Sequence, residues 1–133
     1  MIGAFYTVYN TLGCGFLESV YSRALYIELR RRGLRVEREV AVVVHYHRYK
    51  VGRFIVDQLV AGVLAVELKA TRVLGPDDRR QVLNWLEASQ LELGLLFHFG
   101  PRPAFHRVVA ENSAPDPAVS ASSSLTNESL PPG

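Results

Sequence analysis

Apolar and polar positions repeat with two different periods along this chain, and they predict helices first and strands afterwards. Residues 2–12 and 17–32 are predicted to form two helices, separated by the breaker Gly13-Cys14-Gly15. In the second helix, apolar side chains recur at three- and four-residue spacing. This spacing predicts one buried stripe, formed by Leu17, Val20, Ala24 and Ile27.

The chain then changes to short β-branched runs, which favour strands because they are too short for helices. The predicted strands span residues 34–46, 53–60, 63–70, 93–99 and 105–110, with a polar turn region at 45–52. A third helix is predicted to begin at Pro76 and end near Ser89, since proline suits the first helical turn. The order α-α-β-β-β-α-β-β predicts an α/β fold with a mixed central sheet flanked by helices.

Composition divides the chain into a domain and a tail. The 133 residues are 48% hydrophobic, with a net charge of +2, which suits one mildly basic globular domain. Residues 1–112 are predicted to form this domain, and the Ser- and Pro-rich residues 113–133 a disordered tail. The single cysteine, Cys14, excludes an intramolecular disulfide, and no apolar run suits a membrane span. We therefore expect a cytoplasmic protein without membrane association.

Three charged residues interrupt the apolar strands. Because strand side chains alternate between faces, Glu67 and Lys69 are predicted to point to the same side. If the preceding loop holds three residues, Ala61 to Val63, Asp57 lies directly opposite Glu67, with β-carbons about 5 Å apart. A two-residue loop would place Asp57 on the other face. A site that uses both carboxylates therefore requires an odd-length loop or a bulge.

Two facing carboxylates repel each other unless a proton or a cation lies between them. Mg2+ (or Mn2+) favours oxygen ligands of this kind. A nearby lysine can orient a water molecule or stabilise the charge that develops on a phosphate. The pattern therefore predicts metal ligands at Asp57 and Glu67, with Lys69 as a catalytic residue in phosphodiester hydrolysis.

These residues carry a resemblance to a known family. Asp57 followed by Glu67-x-Lys69 resembles the motif of the PD-(D/E)XK nuclease superfamily, although Val56 stands where that motif often has proline. Gly15, Glu18 and Tyr21 read G-x-x-E-x-x-Y, which resembles the GxxExxY protein family within that superfamily. The likeness covers nearly all of residues 2–111.

The resemblance implies a restriction-endonuclease-like fold and further site residues. By this analogy Glu18 acts as a third metal ligand or a catalytic orienter, and Gln81 supports the catalytic site. The arginines that follow the Glu67-x-Lys69 strand are predicted to bind nucleic-acid phosphates; they are Arg72, Arg79 and Arg80. The expected partner is DNA, with RNA as the less favoured substrate. Nucleases of this size often act as homodimers, so a homodimer is possible by analogy.

The sequence also allows other interpretations. Glu67 and Lys69 could form a structural ion pair, and Glu18 could be an acid on the helix surface. Tyr21 is expected to pack in the core with a hydrogen-bonded hydroxyl group. As a whole, the chain could be a non-catalytic nucleic-acid-binding or accessory module, or a domain that binds proteins through a sheet edge. A zinc site at His45 and His47 is weakly supported, because the sequence shows no third ligand nearby.

Overall fold

The structure, a computed structural model, describes residues 1–110 and the strand at 119–122. The helices are α1 (Ile2–Leu12), α2 (Glu18–Arg31) and α3 (Pro76–Ser89). The strands are β1 (Val36–Tyr46), β2 (Tyr49–Val60), β3 (Leu64–Lys69), β4 (Leu93–Phe99), β5 (Pro103–Val109) and β6 (Val119–Ser122). No helix in the described part of the chain has the length and apolar character that crossing a membrane would take.

The strands form one mixed sheet in the order β5-β4-β3-β2-β1-β6. Strands β3 and β4 run parallel, joined through α3, and every other neighbouring pair is antiparallel. The α/β prediction is therefore confirmed. Since β3 and β4 end at the same edge of the sheet, the residues that follow them meet there, in the position where open α/β sheets commonly bind ligands.

A separate hydrophobic core covers each face of the sheet. On one face α1 and α2 pack through stacked aromatic rings, with Phe5 on Phe97 at 4.5 Å and Tyr21 on Phe99 at 4.3 Å between centroids. On the other face α3 packs against Val42, Val56, Ala65 and Leu96. A Cβ at Gly94 would lie 3.0 Å from Val82, so the absence of a side chain at this position lets α3 approach the sheet.

The predicted buried stripe of α2 is wrong. The helix buries Tyr21, Leu25 and Leu29, whereas Leu17 is 76% exposed and Ile27 is 49% exposed. Both sets of residues have helical spacing, so periodicity alone does not choose between them. The larger Tyr21 ring and its stacking partner on β4 favour the observed face.

The first hairpin is longer than its sequence indicates. Strand β1 continues to Tyr46 and β2 already begins at Tyr49, within the region predicted as a polar turn. His47 adopts a positive φ of 56° at the reversal between the two strands. Residues 50–53 are exposed, yet their backbone pairs with β1, so the polar side chains of Lys50 and Arg53 do not prevent strand formation.

The disordered-tail prediction concerns residues 113–133. Within that segment, Val119–Ser122 forms β6 and pairs with β1, with Val43 opposite Ser122 and Tyr46 opposite Val119. This strand differs from the expectation. Residues 111–118 and 123–133 lie outside the described part of the chain, so the rest of the tail prediction is not tested.

Candidate active site

The connection between β2 and β3 has the length that the carboxylate pair requires. Val60 pairs with Leu64, so the loop consists of the three residues Ala61 to Val63. Gln58 pairs with Val66 in the same register, which places Asp57 and Glu67 at the next opposed position. Ala61 and Gly62 both adopt positive φ, 54° and 72°, which closes the loop tightly. The odd-length loop predicted from the sequence is therefore present.

The Asp57 carboxylate lies where β2 and β3 separate. The described backbone pairing of the two strands ends at Gln58 and Val66. Two residues further on, the backbone N–H of Leu68 donates a hydrogen bond to Asp57 Oδ2 at 2.8 Å. A side-chain oxygen therefore accepts a strand N–H, which directs the carboxylate towards β3.

The side chains of β2 on either side of Asp57 pack into different hydrophobic cores. Val60 packs with α1 and α2, whereas Val56 packs with α3, although regular alternation would place both on one face. On β1, Glu39 adopts a positive φ of 54° between the pairs Arg38–Gln58 and Val40–Val56. The unusual backbone conformation of Glu39 therefore lies opposite Asp57, where the two strands change direction.

Glu67 is a buried carboxyl group, only 5% exposed. The pKa of Glu67 is raised to about 11, mainly because the carboxyl group is buried. The hydrogen bond with Asp57 and the negative charge of Asp57 also raise this pKa, whereas the positive charge of Lys69 lowers it. Its Oε2 atom has no hydrogen-bond partner among the described residues. A buried oxygen of this kind carries a large desolvation cost unless it is protonated or binds a cation.

Lys69 and Glu18 complete an electrostatic cluster around this pair. Lys69 is half-buried at the end of β3. Glu18 is the first residue of α2 and is exposed, yet partial desolvation raises its pKa; the charge of Asp57 adds to this effect and that of Lys69 opposes it. The structure therefore brings three carboxyl groups and one ammonium group into mutual influence. This arrangement differs from an isolated Glu67–Lys69 ion pair.

The donor set fits a hard divalent cation through two carboxylates. Among the described residues, no group of three or more His, Cys, Asp or Glu side chains is arranged to hold a metal ion. However, Mg2+ commonly takes only one or two protein carboxylates and completes its shell with water and substrate phosphate. The partnerless Glu67 Oε2 beside Asp57 matches that requirement, whereas Glu18 as a third ligand remains a prediction.

The other predicted site residues lie on the surface around this cluster. Gln81 is exposed on α3, and in the described part of the chain its side chain makes no hydrogen bond. Arg72 follows β3, and Arg79 and Arg80 lie on the first turns of α3; all three are exposed. Burial lowers the pKa of His106 on β5, and the positive charge of Arg79 acts in the same direction. Their roles in binding phosphates remain predictions.

Tyr21 holds the loop that leads into Glu18. Its ring is fully buried, and its hydroxyl group donates to Gly13 O at 2.6 Å and accepts from Phe16 N at 3.2 Å. Gly15 has a φ of +105°, which a side chain would strain. The spacing of Gly15, Glu18 and Tyr21 thus has a physical role: the glycine and the tyrosine shape the loop that sets the start of α2. The predicted core role of Tyr21 matches these contacts.

Gln58, which is not among the site residues predicted from the sequence, connects the two parts of the site. Its side chain is fully buried and donates to Ser22 O at 2.6 Å, one helical turn after Glu18. Because Gln58 directly follows Asp57, this hydrogen bond ties the strand that carries Asp57 to the helix that carries Glu18. The signal was available, since an amide within the apolar run FIVDQLV needs a buried partner.

Comparisons with known proteins identify the family. A family model described as the PD-(D/E)XK nuclease superfamily matches residues 1–108, and the chain therefore belongs to this superfamily. Among solved structures, the crystal structure of SSO0001 aligns with a TM-score of 0.56 at 18% sequence identity, covering 71% of this chain and 50% of that one. The aligned part of this protein thus spans about half the length of that chain.

At that identity the structural likeness shows the fold alone, and it supports the restriction-endonuclease-like α/β architecture. No match to the chain was found among curated proteins. The superfamily prediction is confirmed by the family model, whereas membership of the GxxExxY family stays a prediction.

Proposed function

We propose that this protein is a divalent-metal-dependent nuclease that hydrolyses phosphodiester bonds of DNA, with RNA as the less favoured substrate. Membership of a nuclease superfamily supports nuclease activity, and its members generally use divalent metal ions. The observation that carries the proposal is the opposition of Asp57 to the buried Glu67, whose Oε2 has no partner among the described residues.

Asp57 and Glu67 would hold Mg2+ or Mn2+. When bound, the cation would supply stabilisation of negative charge on the phosphate and activation of water. The register of the three-residue loop and the Leu68 N–H fix the Asp57 carboxylate before any ligand arrives. Preorganisation of this kind lowers the cost of binding, because the ligands do not need to be ordered again.

Lys69 would act on the reacting atoms through its ammonium group. In the reaction, a water oxygen forms a new bond to phosphorus while the bond to the leaving oxygen breaks, which yields a phosphate monoester and a hydroxyl group. Lys69 would orient that water and stabilise the charge that develops on the phosphate oxygens. Glu18 would orient the water or complete the cation's shell, and Gln81 would support the site from α3.

The remaining predictions concern substrate and assembly. Arg72, Arg79 and Arg80 are exposed and follow β3 in the chain, and they would contact phosphates, which fixes register along a strand without reading its sequence. The Gly15–Glu18–Tyr21 geometry supports membership of the GxxExxY family. A homodimer and a cytoplasmic location remain predictions from the sequence.

The experiment that tests the proposal is calorimetric titration of Mg2+ and Mn2+ into wild-type protein and Asp57→Asn, followed by cleavage assays on labelled DNA. We expect wild type to bind the cation and cut DNA, and Asp57→Asn to do neither. If the folded wild type binds no cation with DNA present, catalysis is excluded, and DNA binding in chelator would identify a non-catalytic nucleic-acid-binding module.

A further inference from the structure

A cavity of about 170 Å³ opens at the edge of the sheet where β3, the strand of Glu67 and Lys69, and β4 end. Three segments line it: the loop before α2, the residues after β3, and the turn after β4. The lining residues are Cys14, Gly15, Ala70, Thr71, Arg72, Phe99, Gly100 and Pro101. Ala70 directly follows Lys69 in the chain, so one wall of the cavity continues from the end of the strand that carries Glu67 and Lys69.

A side chain that packs in or against the core fixes each of the three segments. Tyr21 holds the first loop through Gly13 O and Phe16 N, as described above. Tyr9 donates its hydroxyl group to Gly100 O at 2.7 Å, which holds the turn after β4. His98, which is 6% exposed, contacts Thr71 O through Nε2 and so holds the segment after β3. These hydrogen bonds and contacts hold all three wall segments in place, so the cavity is formed before a ligand binds.

The backbone at Gly100 packs closely against His98 and Thr71. A Cβ at this position would lie 2.5 Å from His98 Cε1 and 3.0 Å from Thr71 O. Any other residue would displace the histidine that orders the neighbouring wall. The cavity thus depends on the absence of a side chain at Gly100, just as the packing of α3 depends on Gly94.

The walls of the cavity combine apolar surface with one positively charged side chain. Ala70, Phe99 and Pro101 contribute carbon atoms, and Arg72 is exposed at the rim. Within the described residues, Arg72 forms no ion pair, so its guanidinium group is available to a phosphate or to the face of an aromatic ring. A small, largely apolar cavity with an arginine at its rim suits a flat heteroaromatic group attached to a phosphate.

We propose that this cavity binds one unpaired nucleobase of the DNA strand whose phosphate lies at Glu67 and Lys69. This inference rests on the proposed nuclease function and adds a substrate class to it. The cavity has room for a single base but not for a base pair. A base enters such a pocket at the lowest cost when it is already unpaired, because a paired base must first be unstacked. The preferred substrate is therefore DNA that is single-stranded or locally unpaired at the cleaved bond.

Cys14 provides a direct test, because it is the only cysteine in the chain, it is exposed, and it lines the cavity. The experiment measures the rate at which iodoacetamide alkylates Cys14 in wild-type protein saturated with a single-stranded oligonucleotide or with the matching duplex. A chelator is present so that no strand is cut. We expect the single strand to slow alkylation about tenfold, from the usual strength of base stacking, and the duplex to leave the rate unchanged. Equal rates with both bound forms would overturn the inference.

Two substitutions of Cys14 provide an independent measurement. Cys14→Phe would fill the cavity from an exposed loop position, and Cys14→Ser is the matched control of nearly unchanged size. We expect Cys14→Phe to weaken binding of the single strand about tenfold while binding of the duplex is retained, and Cys14→Ser to behave as wild type. An unchanged preference in a folded Cys14→Phe variant would contradict the proposal.

Calorimetry of Mn2+ on the same variants separates the two proposals. The cation site lies at Asp57 and Glu67, so Cys14→Phe is expected to bind Mn2+ as wild type does. Cation binding without selective protection of Cys14 would refute the base cavity and leave the nuclease proposal intact. Selective protection of Cys14 without any cation binding would refute catalysis and support the cavity as a binding site for unpaired DNA.

Discussion

The backbone N–H of Leu68 donates a hydrogen bond to Asp57 Oδ2, so one carboxylate both ends the pairing of two strands and faces a second acid. We expect Asp57→Ala to destabilise the protein by about 1–3 kcal/mol, because the part-buried N–H of Leu68 loses its acceptor. Asp57→Asn keeps an acceptor oxygen and should lose much less stability. Urea denaturation measures the difference, and equal losses in the two variants would show that this hydrogen bond contributes little.

Stability without metal should decrease as pH rises, because the pKa of Glu67 is raised from its ordinary value to about 11. Between the unfolded and folded pKa values, the native state binds one proton more than the unfolded state. The stabilisation from Glu67 is therefore complete below about pH 4.5 and is progressively lost above it. The raised pKa of Glu18 acts in the same direction.

The variant Glu67→Gln isolates this effect, since its side chain does not titrate. In chelator, thermal melts between pH 5 and about pH 9 should show wild type losing stability relative to Glu67→Gln as pH rises. Asp77→Asn, on the exposed first turn of α3, provides a control acid outside the site. Parallel profiles for wild type and Glu67→Gln would mean that the Glu67 carboxyl group is not held protonated.

Gln58 is expected to position the site without touching substrate. Gln58→Leu preserves apolar packing but removes the bond to Ser22 O, so α2 is no longer tied to the strand that carries Asp57. We expect a loss of about 1–2 kcal/mol in stability and a fall in kcat with KM nearly unchanged. Ser22→Ala removes only the longer 3.3 Å contact to Oγ and should remain close to wild type. A Gln58→Leu enzyme with wild-type kcat would exclude the positioning role.

Gly100→Ala is expected to destabilise the protein by about 1–3 kcal/mol through overpacking. The new methyl group would meet the His98 ring at 2.5 Å and the Thr71 carbonyl at 3.0 Å. Gly52→Ala is the matched control, because a Cβ there meets nothing within 4 Å. Denaturant midpoints compare the two variants, and hydrogen exchange should show faster opening near Thr71 in Gly100→Ala only. Equal midpoints would show that His98 moves at no cost.

The sequence predicts features that depend on local rules. The register of Asp57 and Glu67 follows from alternation of side chains and from the length of one loop, and the bounds of α3 follow from Pro76 and Ser89. The buried face of α2 does not follow, because two apolar stripes with helical spacing compete and only the sheet decides between them. The apolar run around Gln58 indicates that its amide needs a buried partner, but it does not identify Ser22. The hydrogen bond from Tyr9 to Gly100 is likewise not predicted, since no local pattern relates residues so far apart.

The number of residues that separates two contacting groups in the sequence affects the order in which the site assembles during folding. Leu68 and Asp57 are 11 residues apart, so closing this contact restricts only a short segment of the unfolded chain. Gln58 and Ser22 are 36 residues apart, and Tyr9 and Gly100 are 91 apart. The two carboxylates can therefore meet as soon as the second hairpin forms, whereas the cavity exists only after the first helix has met the last part of the domain. The opposed position of the two carboxylates is therefore set by local contacts early in folding, and the cavity by long-range contacts late in folding.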